Sequence, residues 1–317
     1  LTRSDANVCQ YCIDESETGS RLDRAIIRYT GQENRGLVMR LIRRGNVRVN
    51  GKRAKINQRL CLGDQIYLPA SLRPAGGSGA VTRSKGMPGN ISMPVLYEDE
   101  HLLVINKPSG SVVHAGSGYE AGIVEYLREA RGLAELRLAH RLDRDTSGCL
   151  LLAKNLPVLR DLAEGFRQGR IRKNYLAWVE GHPFPYASRL HSFLRKGIVQ
   201  GGERMVVADE EGQEAVTDYQ VVCCEERRGL QFSLLALSPQ SGRTHQLRVQ
   251  LQHEGYAILG DGKYGSREAG KLFRKIGGKS MALHAWRLRF RHPEGGRELE
   301  IRAPLPSWWR GCFSPQR

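Results

Sequence analysis

What this 317-residue chain lacks narrows its class first. Its longest apolar runs, such as Leu102 to Ile105 and Cys149 to Ala153, fall far short of the roughly 18 to 20 residues that span a bilayer. The opening residues carry Asp5, Asp14, Glu15 and Glu17, without the basic-then-apolar order of a secretory leader. A cytoplasmic protein with no membrane attachment is the expectation. Cysteine is scarce and odd in number, seven in all. A chain able to bury a large core needs no disulfide staples, so the thiols are expected to be reduced. Cys9 and Cys12 have the spacing of half a zinc site, but no second CxxC or HxxxH pair completes it. No metal or other cofactor is expected.

Acidic residues are also few, 33 Asp and Glu against 49 Lys and Arg, for a formal charge of +16. The excess is clustered: residues 19–69 hold 12 Lys or Arg and 3 Asp or Glu, a net +9. A concentrated basic surface is the electrostatic footprint of a phosphate-rich partner. An anionic membrane would demand an amphipathic anchor or a lipidation signal, and the sequence offers neither.

The length suits two folded parts. Residues 1–18 are polar and acidic without sustained periodicity and read as a mobile tail. From Ser20 a helix places Leu22, Ala25, Ile26 and Tyr29 on one side; from Asn34 a second turns Leu37, Val38, Leu41 and Ile42 inward. The second leaves Arg35, Arg40, Arg43 and Arg44 outward. Val47-Arg48-Val49 then alternates as a strand, Asn50-Gly51 signals a hairpin turn, and Lys52, Arg53 and Lys55 follow. Residues 70–93, rich in Pro, Gly and Ser, read as a flexible linker. Beyond it, strands at Val95 to Tyr97, Leu102 to Ile105, Leu150 to Ala153, Tyr175 to Val179, Ala215 to Cys223, Leu230 to Leu237 and Trp286 to Phe290 are interspersed with helices. The expected class is α+β, a small α/β domain followed by a larger domain on a mixed, mostly antiparallel sheet.

The stretch LAHRLDRDTSGCLLLAKN, residues 138–155, carries the most chemistry. His140, Arg141, Asp143, Arg144 and Asp145 run through the turn-forming Thr146-Ser147-Gly148 into a core strand, a placement suited to a site. A solvated turn of self-neutralising ion pairs also accounts for these charges. The segment resembles the H-R-L-D-x-x-T-S-G signature of the RluA-type pseudouridine synthase family. VINKPSGSVVHAG at 104–116, RIRKNYLAWVEG at 170–181, PQSGRTHQLRVQL at 239–251, LGDGKYG at 259–265 and ALHAWRLRF at 282–290 resemble further motifs of that family, from residue 94 to the end of the chain. The basic segment 19–69, with LIRRGNVRVNGKRAK at 41–55, resembles an S4-type RNA-binding domain, a pairing found in the RluC and RluD branch that modifies large-subunit ribosomal RNA. Gln250 stands where the family often has His.

The resemblance implies an enzyme that isomerises uridine to pseudouridine in structured RNA without a cofactor. It implies Asp143 as an ionised nucleophile, Arg243 as the cation paired with it, and Tyr175 as the active-site tyrosine that stacks on the base and helps remove its carbon-5 proton. The target must leave the helical stack, and Arg141 is implied to fill the space behind it. Lys107, His140, Asp145, Thr146 and Gly148 are expected to support the loop, and His114, His245 and His284 to be structural. Arg35, Arg40, Arg43, Arg44, Arg48, Lys52 and Arg53 are expected to touch RNA. The expected partner is large-subunit ribosomal RNA or its assembly intermediate, bound by a monomer. Two other classes stay open: a non-catalytic RNA-binding factor, and an Asp-dependent nuclease or glycosidase. The latter would usually need a metal-binding carboxylate cluster or a second catalytic carboxyl, which the motifs do not supply.

Overall fold

The structure, a computed structural model, describes residues 8–13, 17–30, 35–72, 93–113, 122–200 and 203–313. Asn34, His114 and most of the expected linker, residues 73–92, lie outside these. Two compact units emerge by spatial proximity, one from residues 1–87, 114–141 and 152–164, the other from 88–113, 142–151 and 165–317. The first thus takes in segments that sequence order alone places with the second domain. One reason is visible at Gly63, where an added Cβ would meet the Cβ of Ala163 at 3.6 Å.

In the first unit the basic segment folds as β1 (Val8–Cys12), α1 (Leu22–Thr30), α2 (Arg35–Arg43), β2 (Arg48–Val49), β3 (Lys52–Arg53) and β4 (Gln65–Pro69). The strands form an antiparallel sheet in the order β1-β4-β2-β3. Leu22 and Ile26 of α1 and Val38 and Ile42 of α2 meet Val47, Val49, Ile66 and Leu68 in one buried cluster. Each such side chain contributes about 1.5–3 kcal/mol relative to an exposed one. Asn50 and Gly51 both take positive φ, 52° and 75°, as a two-residue type I′ hairpin requires.

The tail expectation needs correction. Residues 8–12 pair with β4 along their whole length, Val8 opposite Pro69 through Cys12 opposite Gln65. Tyr11, Cys12 and Ile13 are buried, and Tyr11 donates its hydroxyl hydrogen to the buried Glu17. Three apolar side chains were enough to anchor an edge strand inside an otherwise polar stretch. Leu72, expected in the linker, is buried as well.

The remaining elements are β5 (Val95–Glu98), β6 (Leu102–Lys107), α3 (Ile123–Arg131), β7 (Arg137–Leu138), β8 (Ser147–Ala153), α4 (Leu156–Arg167), β9 (Arg172–Glu180), β10 (Ala187–Gln200), β11 (Glu203–Ala208), β12 (Gln213–Arg227), β13 (Leu230–Pro239), α5 (Gln246–His253), α6 (Arg267–Lys275), β14 (Leu283–Arg291), β15 (Glu298–Arg302) and α7 (Ser307–Phe313). The large sheet runs β11-β10-β12-β13-β9-β14-β8-β6-β5, with β15 beside β14 and β7 beside β8. It is mixed, because β8 and β14 run parallel while β9 through β13 pair antiparallel. Every residue of β8 is buried, in keeping with its unbroken apolar run. Leu176 and Trp178 of β9, Phe232 of β13, Phe273 of α6 and Phe313 of α7 close one core, with the rings of Trp178 and Phe313 stacked at 4.0 Å.

Candidate active site

The charged loop before β8 is tied down at its backbone. Thr146 N–H donates to the Asp143 carbonyl at 3.1 Å, and Gly110 N–H to the Arg144 carbonyl at 2.9 Å. Lys107, at the end of β6, donates from Nζ to the Arg144 carbonyl at 2.7 Å and to that of Pro108 at 3.0 Å. Ser109 Oγ donates to the Asp145 carbonyl at 2.6 Å. Downstream, Gly148 sits at φ 108° opposite Ala285 in the parallel pairing of β8 with β14, where a Cβ would lie 2.3 Å from the Ala285 carbonyl oxygen. Only glycine fits there. Lys107 is wholly buried; burial pushes its pKa down to about 7, against the opposing pull of Asp145 and Asp143.

One carboxylate of this loop faces a buried cation. Arg248 Nη1 donates to Asp143 Oδ2 at 3.1 Å, while its Nε and Nη2 hold Asp261 in a fork at 2.7 and 2.9 Å. Asp261 also accepts the backbone N–H groups of Lys263 at 2.9 Å and Tyr264 at 3.1 Å. Burial works to raise the pKa of Asp261, but the hydrogen bonds and charge of Arg248 outweigh it and hold the carboxyl below its ordinary range. Arg248 is therefore clamped from behind and offers Asp143 a single bond. Side-chain exposure is 1% for Asp261 and 16% for Asp143, so the second of these carboxylates is the one that can meet a ligand.

This corrects the pairing expected for Arg243. Arg243 is exposed, and its Nε donates to the Glu214 carbonyl at 3.2 Å. The same motif, GRTHQLR, supplies both arginines, but α5 begins only at Gln246, and its buried residues include Arg248. Gln250 on that helix is also enclosed, accepting from Thr217 Oγ1 at 2.7 Å and donating to the Ala215 carbonyl at 3.0 Å.

His245 precedes α5 in the left-handed region at φ 54°, with Nε2 3.9 Å from Asp143 Oδ2. Burial lowers its pKa to about 4, with Arg248 and Lys263 adding to the effect and Asp143 opposing it, so the ring is neutral near pH 7. Its Nδ1 lies 2.8 Å from the Tyr264 hydroxyl, whose oxygen accepts from Val206 N–H at 3.2 Å. The Arg248 guanidinium lies 5.0 Å from the centre of the Tyr264 ring. Neither Asp261 nor Tyr264 was singled out by sequence reasoning, although both stand in LGDGKYG.

Tyr175 is buried on β9, opposite Leu237 of β13. Burial first, and the charge of Asp143 second, push its pKa above the usual phenol value, so it is a neutral phenol near pH 7. His284 is held by Ser147 Oγ at 2.8 Å from Nδ1, deep in the core. His140 is buried and Arg141 exposed.

In the basic domain, Arg40, Arg43, Arg44, Arg48, Lys52 and Arg53 are all exposed. Three of the expected RNA contacts also serve the fold. Arg35 bonds the fully buried Asp23 at 3.1 Å, Arg53 donates to the Arg43 carbonyl at the end of α2 at 2.6 Å, and Arg48 donates to the Gly51 carbonyl at 3.2 Å. Among the described residues, no group of three or more His, Cys, Asp or Glu is placed to hold a metal ion, and no helix is long and apolar enough to cross a membrane.

A mixed sheet with one accessible, cation-backed carboxylate beside a buried tyrosine, preceded by a small basic domain, defines a class. Residues 101–253 match the family RNA pseudouridylate synthase and residues 20–66 match the S4 domain. The chain belongs to the RNA pseudouridylate synthase family, in its RluA-type branch with an N-terminal S4 domain, and is an RNA pseudouridine synthase. It is 38% identical over 308 residues to ribosomal large subunit pseudouridine synthase C of Escherichia coli K12, covering 96% of this chain and 95% of that protein. The protein of the same description from Haemophilus influenzae is 36% identical over 302 residues, covering 95% and 92%. Among solved structures, human RNA pseudouridylate synthase domain containing 1 superposes with a TM-score of 0.58 at 26% identity, covering 69% of this chain and 86% of that one.

Proposed function

We propose that this enzyme isomerises uridines of large-subunit ribosomal RNA, with Asp143 as the nucleophile. The likeness to ribosomal large subunit pseudouridine synthases C, over nearly the whole length of both chains, supports the substrate. The observation that carries the chemistry is the division of labour around Arg248: Asp261 takes two of its hydrogen bonds and Asp143 one, so the more accessible carboxylate is held beside a cation by a single bond and can still meet a substrate. A carboxylate with every lone pair engaged would be a poor nucleophile.

The reaction breaks the bond from the ribose anomeric carbon to ring nitrogen, turns the uracil and joins the sugar to ring carbon 5; the bond that Asp143 makes to the uridine on the way is broken again before the product leaves, which restores the carboxylate. The proton on carbon 5 leaves and ring nitrogen gains one, so composition is unchanged. Tyr175 stacks on the base, and because its phenol is neutral it takes the carbon-5 proton only as its own hydroxyl proton passes on to the ring nitrogen. While Asp143 is anionic its charge opposes ionisation of the phenol; once the carboxylate is bonded to the uridine, that opposition is gone. The target is flipped out at a cost of a few kcal/mol, and Arg141 occupies the gap it leaves. Arg40, Arg43, Arg44 and Lys52 meet phosphates of the surrounding RNA, with Arg35, Arg48 and Arg53 supplementing them.

Tritium release from RNA labelled at uracil carbon 5 tests the assignment. Asp143→Asn keeps the size of the side chain but removes its charge, and is expected to abolish release while RNA binding persists. Release at close to the wild-type rate from Asp143→Asn would overturn the mechanism. A map of pseudouridine in ribosomal RNA with and without the protein tests the substrate; an unchanged map would overturn it.

A further inference from the structure

The outward face of β9, β14 and β15 carries charge that catalysis does not use. In register, Arg287 faces Arg302, Arg289 faces both Glu300 and Arg172, and Arg291 faces Glu298. Directly opposed residues share a face, so these five arginines and two glutamates lie together, while the alternating Leu288, Phe290 and Ile301 are buried on the other side. Arg172, Arg289, Arg291 and Arg302 are exposed. Both glutamates are engaged: Arg289 bonds Glu298 at 3.0 Å, and Arg287 lies 3.5 Å from Glu300, which Arg302 also binds. Arg172 and Arg291 act on Glu298 only through charge, without a hydrogen bond to it among the described residues. Trp286, part-exposed, has the guanidiniums of Arg287 and Arg302 at 5.0 and 5.6 Å from its ring.

We propose that this face is a second RNA-docking surface, which takes the sugar-phosphate backbone of a segment distant from the target uridine. Five cations against two anions leave +3 on a flat grid, with strands about 4.8 Å apart and same-face residues about 7 Å apart along each strand. A flat, arginine-rich face with one aromatic suits a phosphate backbone, which such proteins grip through charge without reading sequence. Its position makes the surface distinct from the candidate active site. Lys173, opposite Leu288, and Tyr175 share the reverse side of β9, so the strand turns its catalytic tyrosine one way and Arg172 the other. A short RNA seated on Tyr175 cannot reach the arginines, whereas a long folded RNA that passes the edge of the sheet can.

The inference rests on the reading of the substrate as a large structured RNA. Arg172→Gln, Arg289→Gln and Arg291→Gln are combined in the full chain, and binding across a salt series is measured for a minimal stem-loop containing the target and for a ribosomal RNA fragment several hundred nucleotides long. The expected result is a loss of about tenfold or more for the long RNA near 0.15 M salt. Its log–log salt slope should shrink by about 2 to 3, since each phosphate contact contributes about 0.7 to 0.9. Stem-loop affinity and turnover should stay unchanged, and the Arg→Lys triple variant, which keeps the charge, should retain the wild-type slope. Equal losses on both RNAs would overturn the proposal in favour of an effect on the candidate active site. Unchanged long-RNA binding would overturn it as well, including the case in which the variant instead loses an acidic protein partner. Pseudouridine formation by the wild type reports separately on the substrate reading, because backbone contacts need no particular sequence.

Discussion

The N-terminal domain and the catalytic centre use the same guanidinium group in opposite surroundings. On α2 and in the hairpin after it, Arg40, Arg43, Arg44 and Lys52 stand in solvent. At the catalytic centre Arg248 is 7% exposed at its side chain and bridges two carboxylates. An exposed cation is screened by salt and gains energy chiefly when it releases counterions from a polyanion. An enclosed one is screened little, and its geometry decides what the neighbouring carboxylate can do. On the proposed reading, affinity is spread over many replaceable residues, while reactivity is concentrated in a few that are not.

The sharpest way to break this contrast is to exchange cations within one motif. Arg248→Lys keeps the charge but cannot hold Asp261 in a fork and reach Asp143 at once, so turnover should fall about 100- to 1000-fold, the range seen when one preorganised electrostatic contact is lost. Arg248→Met goes further, leaving Asp143 and Asp261 without their shared cation, and should also cost about 3–5 kcal/mol in stability. Arg243→Met, five residues away on the surface, should leave turnover within a few-fold of wild type. Single-turnover kinetics and denaturant unfolding measure both effects. Equal losses for Arg243→Met and Arg248→Lys would remove the distinction between the enclosed and the exposed guanidinium.

Which arginine faces Asp143 was not legible in the sequence, although both were in view. In GRTHQLR the choice depends on where the helix starts, and the left-handed turn at His245 that sets this carries no sequence signal of its own, since His lacks the permissiveness of Gly. Asp261 and Tyr264 were hidden for a similar reason, because they reach Arg248 only through tertiary folding. The basic domain was far more legible. The three-and-four spacing in Leu22 to Tyr29 and Leu37 to Ile42 and the Asn50-Gly51 turn are local signals, and helices and hairpin formed where those signals lie. Strand β1 escaped notice because Val8 to Cys12 is short and flanked by polar residues, so its pairing with β4 is a long-range choice. The hairpin of β10 and β11 escaped for a different reason: Ser188 to Arg195 is largely exposed and mixed in character, without a clean apolar alternation.

Lys107 sharpens the contrast through pH, with a smaller effect on rate. It is enclosed like Arg248 but titratable, with a pKa lowered by burial from 10.5 to about 7. Between these two values the unfolded chain binds a proton that the folded chain has released, so stability rises with pH across that window. The contribution is complete above pH 10.5 and is lost as pH falls through about 7. Denaturant unfolding of wild type and Lys107→Met from pH 6.5 to 9 should show the wild type gaining on the variant as pH rises. Turnover of the variant should fall about tenfold, because the carbonyls of Pro108 and Arg144 lose the donor that steadies the Asp143 loop. A stability difference independent of pH would mean that Lys107 titrates as an exposed lysine does.

The smallest effect on rate is expected where the charge density along the chain is greatest. Replacing Arg40, Arg43, Arg44 and Lys52 together by Gln removes four exposed cations without touching the buried cluster of Leu22, Ile26, Val38 and Ile42. None of the four bonds the buried Asp23, which Arg21 and Arg35 hold. The fold should survive. If each cation meets one phosphate, the log–log salt slope of RNA binding should shrink by about 3, and affinity near 0.15 M salt should fall about 10- to 100-fold. Turnover at saturating minimal RNA should stay within about twofold of wild type, because uniform binding raises KM when lost and leaves kcat alone. A large fall in kcat at saturation would mean that the exposed cations help to assemble the catalytic centre, and the separation of affinity from reactivity would fail. An unchanged slope would instead move the RNA-binding surface away from α2 and its hairpin.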